Sequence, residues 1–434
     1  MNEELSYKKI FQFWFPLSAT WLMMAVEGPF LTALIARFTD PEYNLAAYGV
    51  AFSIALIIES PVILLLSAST ALVENRETFQ KLKRFVYFLS ASTVIFILIL
   101  LIPAIYNFIA LELIKLPQRV ADLNYYALVV LIPWAPSIGY RRFYQGIMIR
   151  SGKTKLVAYG TVIRLTAMGL TGTFLYTSRM VDGVMIGACA LSAGVITEAI
   201  ATRLMVGKLL VSFFDMNSEN KKNITQKEIL KFYYPLALTS FISLGVHPIV
   251  TFFMGQSRMS LESLAVLPVL HGLVFIFRSF GLSYQEVGIA LIKSQKEYVK
   301  LRNFAYGMAV AVFTALGLIA LTPLSMIWLI EVAGLTPKLA EFARIPLIIY
   351  SFFPITTVWI NFQRSVLVNT RHTEPITMAT ILEVLGIILV LIIFINYLSI
   401  VGAVAAVSAY TFGRLAANLY LIKPFRKCVR KIPH

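Results

Sequence analysis

The chain has 434 residues, of which 58% are hydrophobic and 14% charged, and a formal net charge of +16; its mean hydropathy is +0.77. So little charge on so long a chain excludes an ordinary soluble domain. The apolar runs exceed the roughly 20 helical residues needed to cross a hydrocarbon core, and backbone in lipid must satisfy its own hydrogen bonds, which makes such runs helices. Alternating strands of about 10 residues, the mark of a membrane barrel, do not occur.

The N-terminal MNEELSYKK carries both signs of charge and no small-residue cleavage site follows, so the first apolar run is read as a retained helix rather than a signal peptide. Six spans are predicted at about 10–36, 45–73, 84–109, 120–149, 155–177 and 183–211. The polar stretch SFFDMNSENKKNITQ, 212–226, reads as a linker. Six more spans follow at about 227–256, 261–292, 301–330, 338–368, 373–397 and 399–424, and then a basic tail. The fold class is all-α: a polytopic membrane protein of twelve transmembrane helices in two pseudo-symmetric six-helix lobes, 1–211 and 227–434.

The basic charge follows the loops. With both termini placed in the cytoplasm, the outer loops hold only Arg37, Lys115, Arg119, Arg179, Arg258, Lys338 and Arg344, while most of the 38 Lys and Arg fall on the inner side. This positive-inside bias orients a multi-pass protein of the cell (inner) membrane, and it explains the basicity without nucleic acid. Arg141, Arg142 and Arg150 are expected at the cytoplasmic end of the fourth helix, anchored to lipid phosphate or lining a vestibule for anions. Cys189, in an apolar helix, and Cys428, in the tail, are not expected to pair. No metal site is expected from two Cys and four scattered His.

The halves repeat. Shifted by 219 positions, FWFPLSAT from Phe13 falls on FYYPLALT from Phe232, Pro29 on Pro248, Leu45-Ala46 on Leu264-Ala265 and Glu59-Ser60 on Arg278-Ser279. A shift of 218 aligns Pro136 with Pro354 and Tyr144–Thr154 with Phe362–His372, and a shift of 215 aligns Gly187 with Gly402. A repeat of six helices gives two halves inserted the same way up, with binding sites near the midplane. Prolines carry this register, among them Pro29 and Pro248 in the first helix of each half. Such prolines kink helices and serve alternating access, but they are also common in membrane helices generally.

Charges inside the spans are the candidate site residues, since each costs about 2.5–3.5 kcal/mol on insertion scales. Glu59 and Arg278, at equivalent positions of the second and eighth helices, are expected on opposite walls of one cavity, as substrate or proton sites or as an inter-lobe bridge. Glu27, just before Gly28-Pro29, is placed to take up and release a proton. His247 and His271 titrate near neutral pH if unperturbed, and each is weighed as a proton or anion site against a plain hydrogen-bonded histidine. Glu198 is expected to pair with Arg203 or Arg414, and Arg164 with Glu383, one position out of register, across the lobes. Such pairs hold helices together and need no function.

Twelve helices in two parallel halves, a proline early in helices one and seven, and YQGIMIRSGKT closing helix four together resemble the multidrug and toxic compound extrusion (MATE) transporters. That group sits within the multidrug/oligosaccharidyl-lipid/polysaccharide flippase superfamily. Leu45–Pro61 and the SFFP of Ser351–Pro354 are most similar to the progressive ankylosis (ANK) type. The resemblance implies a secondary transporter working by rocker-switch alternating access, with no cofactor beyond coupling to H+ or Na+. MATE drug exporters commonly carry acids in both halves. Here helices seven to ten offer His247, His271 and Arg278 instead, with Glu286 only near a helix end.

The expected function is therefore export of a small organic anion, and the resemblance to the ANK type implies one of the citrate, pyrophosphate or nucleotide type. The alternatives are efflux of organic cations and flipping of a lipid-linked precursor. The expected partners are a small-molecule substrate and membrane lipids around a monomer. No zinc-protease pair, nucleophile elbow or phosphate-gripping loop points to an enzyme.

Overall fold

The computed structural model describes residues 5–151, 153–216, 224–370, 372 and 374–433. Among these residues the chain is helical, with an isolated bridge between Arg258 and Val401 as the only strand-like pairing. The first six helices are α1 (Tyr7–Ala36), α2 (Pro41–Glu59, resuming at Leu65–Leu72), α3 (Arg76–Leu100), α4 (Gln118–Val130, resuming at Trp134–Arg150), α5 (Thr154–Ser178) and α6 (Gly183–Met216). The second six are α7 (Gln226–Gly255), α8 (Ser260–Leu291), α9 (Gln295–Leu321), α10 (Pro337–Tyr350, resuming at Phe353–Asn369), α11 (Glu374–Tyr397) and α12 (Gly402–Val429). Among the described residues, nine helices are long and apolar enough to cross a membrane. The three that fall short, α4, α5 and α12, carry Arg141, Arg164 and Arg414.

Local chemistry sets the helix ends. Reciprocal capping boxes, Asn75 with Thr78 and Ser294 with Glu297, start α3 and α9. Pro41 and Pro337 occupy first-turn positions, where a missing N–H leaves no bond unmade. α1 breaks at Val26, so that Glu27 opens its second segment. α2 unwinds at Ser60-Pro61, immediately after Glu59.

The duplication holds one register of 219 through the structure. Asp40 and Met259 are both left-handed, at φ 49° and 52°. Wide turns recur at Phe108–Leu113 and Ile327–Val332. The Asn44 side-chain Oδ1 accepts from the Val184 N–H at 2.7 Å, as the Ser263 hydroxyl does from the Ala403 N–H at 2.9 Å. The shifts of 218 and 215 are thereby corrected: Trp134 and Phe353 both open the second segment of their helix, and Gly183, not Gly187, is the counterpart of Gly402. Prolines and Gly-Ala pairs recur in apolar helices by composition alone, so a neighbouring register matches as letters. Contacts between helices decide it.

Two compact units form, one of Met1–Arg37 with Phe253–His434 and the other of Phe38–Phe252. Each therefore differs from the division at the linker by its first helix. α1 belongs with α8–α12 because the Trp14 indole N–H donates to the Phe280 carbonyl at 3.1 Å and Pro29 packs on Gly272, where an added Cβ would meet its ring at 3.0 Å. α7 belongs with α2–α6 because Tyr233 donates to the Pro61 carbonyl at 2.5 Å and Thr251 to the Ser53 hydroxyl at 3.0 Å. The middle of the expected linker, 217–223, lies outside the described residues.

The C-terminal segment is not a loose tail. α12 continues to Val429 with Phe425 and Cys428 buried, and Gln295 bonds the carbonyls of Val429 and Pro433. An apolar face on Phe425, Cys428 and Ile432 overrides the basic composition.

Candidate functional site

Each unit buries a charge cluster of its own. In the 38–252 unit the centre is Glu198 on α6, which is 0% exposed. Its Oε1 accepts from Arg141 Nη1 at 2.9 Å and from Gln145 Nε2 at 3.0 Å, both on α4. Arg164 Nε on α5 lies 3.5 Å from Oε2. Glu59 is also buried, at the break of α2, where Val62 and Ile63 donate to its main-chain carbonyl. Its Oε2 has no hydrogen-bond partner and it forms no ion pair among the described residues, although the charges of Arg141, Arg142 and Arg164 act on it.

In the other unit, Arg414 on α12 pairs with Glu383 on α11 at 2.7 Å and reaches Thr357 at 3.5 Å. Its guanidinium lies 4.9 Å from the centroid of Phe353, and that of Arg278 on α8 lies 4.6 Å from the same ring. Two cations therefore share one aromatic platform. Arg278 forms no ion pair among the described residues, and its Nε is buried without a hydrogen-bond partner. Beside it, Tyr350 and His271 Nδ1 are hydrogen-bonded at 2.8 Å, with the His271 ring edge-on to Tyr350 and Tyr410.

Several expected pairings change. Glu198 joins neither Arg203 nor Arg414: it takes Arg141 and Arg164, and Arg203 lies 5.6 Å from the Tyr144 ring. Arg164 and Glu383 do not pair with each other. Each finds its partner on the adjacent helix of its own unit, and both occupy the same repeat position, because Gly194 faces the Arg164 carbonyl as Gly413 faces that of Glu383. Arg141 is no lipid anchor, being 6% exposed. Arg150 donates to the Thr70 and Ala71 carbonyls at 2.8 and 3.1 Å, closing the end of α2. Glu27 and His247 are half-buried, on α1 and α7 respectively, and belong to different units.

Gln145 is the residue that sequence reasoning missed, and Arg141, expected at the end of the fourth helix, is instead a partner of Glu198. The signal was in the predicted span itself: a fourth helix that runs to about 149, and in the structure to Arg150, places Arg141 about 13 Å inside its end. Among the described residues no group of three or more His, Cys, Asp or Glu could hold a metal ion.

No protein-family model and no curated protein sequence matches the chain. Its fold is that of solved MATE-type transporters. It is similar to an inward-facing multidrug resistance MATE family transporter of the MOP superfamily, with TM-score 0.76, 15% identity and 95% of each chain covered. It is similar to the lipid II flippase MurJ in an inward closed conformation, with TM-score 0.73, 18% identity, and 96% of this chain and 90% of that one covered. A MOP superfamily transporter from Pyrococcus furiosus, described as having a binding pocket of reverse polarity, aligns with TM-score 0.62, 15% identity and 99% of both chains covered.

Proposed function

We propose that the protein is a secondary active transporter that exports a small organic anion of the citrate, pyrophosphate or nucleotide type by alternating access. The observation that carries this reading is Arg278, a cation in the middle of its helix with a buried Nε that makes no hydrogen bond, no ion-pair partner among the described residues, and a second guanidinium at the same Phe353 ring. A charge costing several kcal/mol to place in a bundle is retained where it meets a counter-charge, and of the two guanidinium groups at the Phe353 ring only Arg414 forms an ion pair among the described residues. A carboxylate or phosphate supplies the missing partner in the charge-assisted geometry that guanidinium favours. Tyr350 and Tyr410 line the same region with hydroxyls. Coupling to H+ or Na+ is assigned to Glu59 and Glu27, whose occupancy biases which side is open.

The MATE-type fold supports the transport part of this reading. For the Pyrococcus furiosus transporter a reverse polarity of the binding pocket is said to suggest a different function, and this supports reading a change of pocket charge as a change of function here. Cation efflux remains the second reading, on the strength of Glu59, a buried carboxylate outside any ion pair among the described residues. The experiment is uptake into proteoliposomes of citrate, pyrophosphate, ATP and an organic cation dye. Anion uptake that falls at least tenfold in Arg278→Gln supports the proposal. Dye uptake abolished by Glu27→Gln or Glu59→Gln, with no anion uptake, overturns it.

A further inference from the structure

We infer that the 38–252 unit carries a lateral binding site for an anionic phospholipid in the groove between α4 and α6. The groove has a volume of about 450 Å³ and is lined by Pro136, Tyr140, Ala199, Ile200, Arg203 and Leu204. Its walls are apolar and face outward: Ile200 is 57% and Leu204 75% exposed, as side chains packed against acyl chains are in a membrane helix. Pro136 has no N–H to offer and Ala199 has a minimal side chain, and together they leave the space between the helices.

The depth of the cation fits a headgroup. Arg203 lies about 20 residues along α6 from Gly183, hence about 30 Å, the thickness of the hydrocarbon core. It sits at the boundary on the side where the sequence concentrates Lys and Arg. The guanidinium is exposed, meets no carboxylate among the described residues, and is held over the Tyr144 ring at 5.6 Å. Tyr144 is edge-on to Tyr140 at 4.9 Å, and Tyr140 stacks on Tyr87 at 6.4 Å, a tyrosine ladder of the kind that lies at the headgroup level.

The repeat supplies the comparison that makes the cation informative. At the shift of 219, the Tyr87–Tyr140 stack becomes the Tyr306–Trp359 stack at 5.1 Å, so the aromatic framework is kept. Arg203 becomes Ile422, and Ala199 becomes Asn418, whose amide donates to the Thr356 carbonyl at 3.1 Å. The helix pair therefore packs without a cation at this position. The charge of Arg203 answers to something outside the fold, and an exposed cation above an outward apolar groove matches a phosphate above acyl chains.

The test is native mass spectrometry of the full-length protein titrated with phosphatidylglycerol, phosphatidylcholine or inorganic phosphate. Wild type and Arg203→Lys should retain phosphatidylglycerol in preference to phosphatidylcholine, and Arg203→Gln should lose about fivefold of that preference. Ala199→Leu, which fills the groove, should lose bound lipid of both kinds, and it decides the question if Arg203→Gln does not fold. An undiminished preference in Arg203→Gln, lipid retention by Ala199→Leu equal to wild type, or displacement of the lipid by inorganic phosphate would each overturn the inference.

Discussion

Neutralising Glu383 is the most direct trial of the buried charge cluster. Glu383 and Arg414 meet at 2.7 Å with side chains 11% and 13% exposed. Removing one member of such a pair costs about 3–5 kcal/mol, because the other charge stays buried. Here the cost belongs near the top of that range: the charge of Glu383 acts on Arg278 and Arg364 as well as on Arg414. Glu383→Gln leaves two guanidinium groups 4.6 and 4.9 Å from one ring with no acid beside them. The midpoint of thermal unfolding, followed by intrinsic fluorescence in detergent, should fall on the order of 10 °C. Glu383→Gln/Arg414→Gln removes the stranded charge and should recover more than half of the loss, a positive coupling in a double-mutant cycle. If the double variant is no more stable than the single one, the cluster is not held by this pair.

Two further outcomes test the packing. A Cβ added at Gly146 would lie 2.6 Å from the Leu66 carbonyl oxygen and from Ser69 Cβ, so Gly146→Ser should lower the folded yield on size exclusion severalfold. Adding Ser69→Gly, which reproduces the Gly288 and Ser365 pairing of the other unit, removes the contact with Ser69 but not that with the Leu66 carbonyl, and should restore part of the yield. Arg150→Gln removes two bonds to helix-end carbonyls and a 3.5 Å contact with Glu74, and should cost about 1 kcal/mol, a fall of about 1–2 °C in the same unfolding assay.

The helices, the duplication and the intramembrane charges were legible in the sequence because each leaves a one-dimensional mark: apolar length, recurrent proline, a charge where none is cheap. Pairing was less so. Arg141 stands near Arg142 and Arg150, and that cluster reads as a basic helix end although the predicted span, to about 149, already runs past Arg141. The membership of α1 in the unit of α8–α12 rests on Trp14 against Phe280 and Pro29 against Gly272, contacts that no periodicity announces. The interface between α2 and α4 was hidden for a different reason. Ser69 with Gly146 becomes Gly288 with Ser365, and Val62 with Gly139 becomes Gly281 with Val358. As letters these positions mismatch at the repeat shift; as volumes each pair is preserved, which is what close packing requires.

The charges obey the same exchange. Glu59 on α2 corresponds to Arg278 on α8, Arg164 on α5 to Glu383 on α11, and Glu198 on α6 to Arg414 one turn away on α12, so each sign reverses between the repeats. For the pairs the reversal is immaterial, since acid on α5 with base on α6 binds those helices as well as the opposite order. Glu59 and Arg278 have no ion-pair partner among the described residues with which to exchange. A reversal there changes what can bind rather than what holds the fold, so a transport proposal built on these clusters has to stand on Arg278 and Glu59. Charge-neutral variants at these two positions should alter substrate preference while moving the unfolding midpoint less than Glu383→Gln does.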